Sequence, residues 1–295
     1  MLSSILAHKR TEIAGLDEAE QRRRALDAPA PRPFLPPLAD LPAAGRPVRL
    51  IAELKRASPS RGLLAPGMDM RQLAQVYAAN GAAALSVLTD EKFFMGSLDL
   101  LCALRAEPGL ALPLLRKDFI LSPSQVYETR AAGADAVLLI AAALDDAPAD
   151  LTSPAPLPLK EGGSKPVDME SAPVPAGGRL AELHALALEL GLTPLVEVHA
   201  RGELERVLRL PGLRLVGINN RDLATFKVSL QTTAELRPLV PPGVRVISES
   251  GIFTAHDVAR LGALGVDAVL VGEALVTAAD IPAKVRELCT SRSAA

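Results

Sequence analysis

The chain places charged side chains at the ends of apolar runs that are the right length for buried strands. The first of these runs ends AELKRASPS, where Glu53 and Lys55 stand two apart and share one face while Leu54 points the other way. Another ends LLRKDFI and sets Lys117 in phase with Leu115. Further runs end PLVEVHA, carrying Glu197, VGINNRDL, with Asn219 and Arg221 in phase, and VISESGI, with Glu249 followed by Ser250. Charge in such a position is costly unless it is paired or used. Each residue taken alone reads equally well as a solvated strand end, a turn residue or a local ion pair. Two lysines, three glutamates, an asparagine and an arginine gathered on one rim point instead to a site that handles protons.

Glycine turns supply a complementary half. Ser250-Gly251 opens a helix beginning near Thr254, and Gly272-Glu273 in LVGEALV leads into another, so backbone N–H groups there can face a phosphate. Ser58, in the SPS turn after the first run, adds a hydroxyl from the neighbouring side. Either glycine alone is as readily a plain turn former. His8, His184, His199 and His256 have no metal-ligand spacing and are read as structural or surface residues. No GxGxxG fingerprint is present, so no dinucleotide site is expected, and the histidine spacing predicts no metal.

Residues of this kind need a scaffold that brings many strand ends to one rim. Eight apolar runs, at about 48–55, 84–89, 112–118, 136–141, 193–198, 214–219, 245–249 and 268–272, alternate with amphipathic segments. That alternation is the pattern of βα units on a parallel sheet. Eight units predict an α/β fold of the (β/α)8 TIM-barrel type, with an open doubly wound sheet as the alternative. RAAGADAVLL and ALGVDAVLV repeat one design, a helix stopped at glycine before a strand entered through Asp-Ala-Val. Ser122-Pro123 reads as a helix start, Gly133 and Gly191 as helix stops, and Thr254 with Asp257 as a capping pair.

Two segments fall outside the repeat. Residues 1–46 are read as an N-terminal extension, a helix from Ser4 to about Arg24 followed by a Pro-rich connection, ahead of a barrel domain at 47–290. Residues 146–178, rich in Pro, Gly and Ala, are read as an insertion after the fourth run, expected to be disordered. An active-site lid is the other reading of that insertion.

The 295 residues carry a formal net charge of -2, which leaves no basic footprint for nucleic acid or anionic lipid. Cys102 and Cys289 lie far apart in sequence and outside any CxxC, as in a cytosolic protein with reduced thiols. The N-terminal apolar stretch is too short for a signal peptide, and the longest apolar run, 136–144, is too short to span a bilayer. The expected partner is a small phosphorylated substrate, bound by a cytoplasmic monomer or weak homo-oligomer.

In order and spacing, AELKRASPS, LLRKDFI, PLVEVHA, GINNRDL, ISESGI and VGEAL resemble indole-3-glycerol phosphate synthase, from the N-terminal SSILAHKRTEI to about Leu288. The resemblance implies closure, decarboxylation and dehydration of 1-(2-carboxyphenylamino)-1-deoxyribulose 5-phosphate without a cofactor. It makes Lys117 the general acid and Glu197 the general base. Glu53 and Lys55 hold the anthranilate half and assist proton transfer, while Asn219 and Glu249 form the polar wall. Arg221 matches the arginine of its motif, and Ser58, Gly251 and Gly272 resemble the phosphate contacts, with Ser250 and Glu273 beside them. How the two lysines divide the acid work stays open. Phosphoribosylanthranilate isomerase is the rival enzyme, but neither cysteine stands at a strand end. A barrel that only binds a phosphorylated metabolite would be marked by loss of Lys117 or Glu197, and both are present.

Overall fold

The computed structural model describes residues 2–34, 47–59, 61–144, 178–223 and 225–289. Its strands are β1 (Arg49–Leu54), β2 (Ala57–Ser58), β3 (Gly62–Leu63), β4 (Ala84–Leu88), β5 (Leu114–Lys117), β6 (Ala136–Ile140), β7 (Thr193–Val198), β8 (Leu215–Asn219), β9 (Arg245–Glu249) and β10 (Ala268–Val271). Eight of them form a closed barrel in the order β1-β10-β9-β8-β7-β6-β5-β4, every pairing parallel. β1 bonds to both β10 and β4, which excludes the open sheet.

Burial explains the apolar runs. A barrel strand faces helices outside and packed side chains inside, so both faces want hydrocarbon, and all five residues of β4, β6 and β8 are buried. Leu115, Leu195 and Ile247 are fully buried two residues before Lys117, Glu197 and Glu249. On the same strand faces they fill the barrel beneath the charged rim.

Several helix ends follow their chemistry. Gly133 (φ 85°) and Gly191 (φ 76°) adopt the left-handed conformation that stops a helix. Thr254 and Asp257 form a reciprocal capping box ahead of the helix Ala255–Ala263. Ser122 occupies the N-cap of Pro123–Ala131, but its hydroxyl pairs with Ser124 Oγ at 2.7 Å instead of capping.

Three expectations need correction. The single helix from Ser4 to about Arg24 is two, α1 (Leu2–Ile13) and α2 (Glu18–Asp27), because α1 ends near Gly15 and Asp17 caps α2 through Glu20 N–H at 3.1 Å. The insertion follows β6, which is the sixth strand in chain order and not the fourth. The antiparallel hairpin β2–β3 adds two strands before the second strand of the barrel wall. Gly178 opens the helix Gly178–Glu189, and the rest of the segment at 146–178 lies outside the described residues. Part of the Pro-rich connection, from 35 to 46, also lies outside them.

Candidate active site

All twelve residues singled out from the sequence line one cavity at the C-terminal end of the barrel: Glu53, Lys55, Ser58, Lys117, Glu197, Asn219, Arg221, Glu249, Ser250, Gly251, Gly272 and Glu273. Strand alternation delivers Glu53, Lys117, Glu197 and Glu249, which stand at or near the C-terminal ends of four different strands.

Two ion clusters make the floor. Lys55 Nζ is 2.6 Å from Glu53 Oε1. Lys117 Nζ lies 3.4 Å from Glu197 Oε2 and 3.4 Å from Glu249 Oε2, bridging two carboxylates that are each at most 2% exposed. Both separations exceed the 2.7–2.9 Å of a tight charge-assisted hydrogen bond, so neither carboxylate grips the ammonium. Glycine makes room for the acids. A methyl group on Gly272 would collide with Glu53 Oε1, and one on Gly217 would collide with Glu249 Oε1.

The electrostatics separate the two glutamates around Lys117. Burial raises both carboxyl pKa values, but Glu197 is offset by Lys117, by His199 and by a hydrogen bond from Asn219, and falls well below the usual range. Glu249 has no hydrogen-bond partner at either oxygen, and burial next to Glu197 pushes it up to about 8. Burial lowers the Lys117 pKa, yet Glu197, Glu249 and Glu53 together outweigh burial and hold it as an ammonium. Glu53 is likewise ionised, burial being outweighed by Lys55 and Lys117.

Across the cavity the backbone faces inward. Gly272 is the N-cap of Glu273–Val276, its carbonyl accepting Leu275 and Val276 N–H at 3.0 Å each. The first N–H groups of that turn therefore have no partner within the helix. Ser250 (φ 66°) and Gly251 (φ 77°) both adopt left-handed backbone. Asn220 braces this turn from behind, its Nδ2 donating to the Glu249 and Ser250 carbonyls at 2.9 and 3.1 Å and its Oδ1 accepting from Thr233 Oγ1 at 2.8 Å. Asn219 Oδ1 accepts the Arg221 N–H at 3.0 Å. The Glu273 carboxylate pairs with Arg61 at 3.0 Å and lies 3.9 Å from Arg221.

Some participants escape sequence reading. His199, expected to be structural or on the surface, has Nε2 3.2 Å from Glu197 Oε1, and its place two residues after Glu197 was the available signal. His184 is buried and His256 exposed, while His8 pairs with Glu12 at 3.0 Å. Gly217 is signalled by an isolated glycine inside an apolar run. Lys9 of α1 is 2% exposed and reaches Asp90 at 3.1 Å and Asp118 at 2.9 Å, with nothing local in sequence to announce it. That tie sets α1 over the barrel mouth, where Leu2 and Ile5 join Phe94, Phe119, Leu138 and Ile140 in lining the cavity. Among the described residues no cluster of three or more His, Cys, Asp or Glu is arranged to hold a metal ion.

Known proteins resemble the chain at two levels. A family model described as indole-3-glycerol phosphate synthase matches residues 2–155 and 176–288. Proteins named indole-3-glycerol phosphate synthase match it at 48% identity in Roseiflexus castenholzii (98% of this chain, 97% of that one) and 51% in Dehalococcoides mccartyi (87% of each). A third, from Desulforamulus reducens, is 45% identical over 98% of this chain and 96% of its own. Among solved structures, 3-hexulose-6-phosphate synthase from Salmonella typhimurium superposes with a TM-score of 0.57 at 15% identity, covering 83% of this chain and 98% of that one. Thiamine phosphate pyrophosphorylase from Pyrococcus furiosus gives 0.53 at 15% identity, over 82% of this chain and 93% of its own, so these two share the fold alone.

Proposed function

The chain belongs to the indole-3-glycerol phosphate synthase family, and from that premise we propose how the residues around its cavity divide the work. The enzyme is a carboxy-lyase that closes the ring of an anilino-ribulose phosphate with loss of carbon dioxide. The observation that carries the assignment of roles is the placement of Lys117 between Glu197 and Glu249 at the cavity floor.

The substrate is 1-(2-carboxyphenylamino)-1-deoxyribulose 5-phosphate, and its ring carbon attacks its own ketone. Lys117, held as an ammonium and gripped by neither carboxylate, is the group to meet the developing alkoxide and protonate it. Cyclisation leaves an iminium next to the carboxylate, so the substrate itself accepts the electrons released with carbon dioxide. Dehydration then needs a base for the ring proton, which the ionised Glu197 provides, and an acid for the departing hydroxyl. Lys55, paired with Glu53, stands on the opposite wall for that second task, and the same pair holds the anthranilate half. Asn219, Arg221 and Glu249 form the polar wall around the ribulose chain.

The phosphate is assigned to the glycine turns. Backbone N–H groups at Gly251, Gly272 and Glu273, with the hydroxyls of Ser58 and Ser250, surround the end of the cavity where helix N-termini converge. Residues 1–46 are taken as an extension of the single catalytic domain at 47–290, because α1 supplies part of the cavity wall. A cytoplasmic monomer, or at most a weakly associating one, accords with biosynthetic relatives and with a cavity lined by a single chain. Among the described residues no helix is long and apolar enough to cross a membrane.

The test is direct. The purified chain is incubated with the anilino-ribulose phosphate while indole fluorescence is followed; the chain contains no tryptophan, so product emission rises over a dark protein background. Steady turnover that is lost in Lys117→Met and Glu197→Gln supports the assignment. Unchanged turnover in either variant would remove that residue from its role.

A further inference from the structure

His199 lies behind the cavity wall and does not line it, yet it touches the carboxylate assigned as the base. Its ring stands between two acids, with Nε2 3.2 Å from Glu197 Oε1 and Nδ1 3.4 Å from Glu203 Oε2. Glu203 is fixed in turn: it sits in the first turn of the helix Arg201–Val207, and its Oε2 accepts the backbone N–H of His199 at 2.7 Å. The imidazole side chain is 8% exposed. A neutral ring carries an N–H on one nitrogen only, whereas an imidazolium carries one on both, so an ion-pair contact with Glu197 at Nε2, short of an aligned hydrogen bond, and a hydrogen bond with Glu203 at Nδ1 together favour the charged form.

The charge inventory agrees. Glu197 is faced by Lys117 from β5, Glu53 from β1, Glu249 from β9, Asn219 from β8 and His199 from its own strand end. The cavity floor thus sets two ionised carboxylates, Glu53 and Glu197, and the raised Glu249 against Lys55 and Lys117. His199 adds positive charge on the side of Glu197 turned away from Lys117.

We propose that His199 is a positioning residue for the reaction: clamped by Glu203, its imidazolium fixes the orientation and the negative charge of the Glu197 carboxylate from behind the cavity. The proposal rests on Glu197 being the base. Burial works against the charged ring, but hydrogen bonding and attraction from Glu197 and Glu203 outweigh it and push the His199 pKa up to about 10. The same contact is one of those that draw Glu197 below the usual range, after Lys117.

The experiment compares kcat/KM of the full chain with His199→Asn, Glu203→Gln and Glu197→Gln, each checked for folding, at about pH 8 and at the most acidic pH at which parent and variant both stay folded. Without the imidazolium the base takes up a proton at higher pH, so the parent-to-variant ratio for His199→Asn is larger at the acidic condition than at about pH 8. The loss falls on kcat more than on KM, and Glu203→Gln moves the same way by less. The ratio between parent and variant cancels the ionisation of the substrate phosphate. A merely structural role lowers activity by the same factor at both pH values, and that result in His199→Asn overturns the proposal. Should His199→Asn fail to fold, a pH-independent ratio in Glu203→Gln overturns it instead. Parental turnover in Glu197→Gln would sink the reading of the base itself, whereas an inactive Glu197→Gln beside a pH-independent His199→Asn sinks the role of His199 alone.

Discussion

Glu53 and Gly272 are neighbours across the seam between β1 and β10, and the space of the glycine's absent side chain holds the glutamate's carboxylate. Gly272 therefore serves the floor of the cavity as well as its phosphate end. Gly272→Ala is expected to push Glu53 off Lys55 and cut kcat by about tenfold or more, as loss of a positioned proton-transfer group does. Gly251→Ala differs, since it meets Val228 and carries a left-handed φ of 77°, so it should act mainly on KM and on competition by inorganic phosphate. Steady-state constants separate the two. A KM effect alone for Gly272→Ala would return that glycine to the phosphate.

Lys117→Met removes the ammonium shared by Glu197 and Glu249. Turnover should fall by at least about a hundredfold, the lower end of what a positioned acid contributes, with KM changing less. A folded variant with kcat within a few-fold of the parent contradicts the assignment.

Glu249→Gln mimics the protonated acid. With its pKa pushed up to about 8, Glu249 is neutral below that pH and above it becomes an anion that shares Lys117 with Glu197 and stands beside an anionic substrate. The parent's KM is expected to rise as pH passes about 8, and that of Glu249→Gln is not. Stability follows the same sign: a carboxyl whose folded pKa is raised contributes fully below the ordinary carboxylate range and loses that contribution as pH rises through about 8. Thermal melts of the Gln variant should therefore gain on the parent at alkaline pH.

Lys9→Met strips two buried carboxylates, Asp90 and Asp118, of their ammonium. Breaking a buried pair from one side costs about 3–5 kcal/mol. Asp118 is held below its ordinary pKa, burial being outweighed by Arg116 and Lys9, so its contribution is present above the ordinary aspartate value and lost as pH falls. The stability gap between parent and variant, measured by denaturant unfolding, should thus narrow in acid. A gap that widens in acid would show that Lys9 does not hold Asp118 ionised.

The barrel and its rim are legible in sequence for one physical reason. Strands buried on both faces leave few positions where charge is tolerable, so Glu53, Lys117, Glu197 and Glu249 stand out against the apolar runs that end in them. Residues acting through long-range contact leave no such contrast. Lys9 reads as an ordinary helix lysine until Asp90 and Asp118 are folded against it. His199 reads as a loop residue until Glu203 is seen one helical turn later, holding its N–H and its ring. The break between α1 and α2 was carried by Gly15 and Asp17, a glycine and a capping residue that the longer helical reading passed over.

The cover of the cavity is made first and placed late. During synthesis α1 emerges before any strand, but the aspartates that receive Lys9 exist as folded strand ends only after β4 and β5 have been added. Of its twelve residues only Ile5 and Lys9 are buried, with Leu6 and Ile13 packed half-buried against the core, so the helix rests on the barrel and is not embedded. Segments with few buried contacts open at far lower free energy than the core they rest on. Amide exchange in Leu2–Ile13 should accordingly outpace that of β1 by orders of magnitude, and newly made chains should expose this helix to proteases until the third strand of the barrel wall is complete.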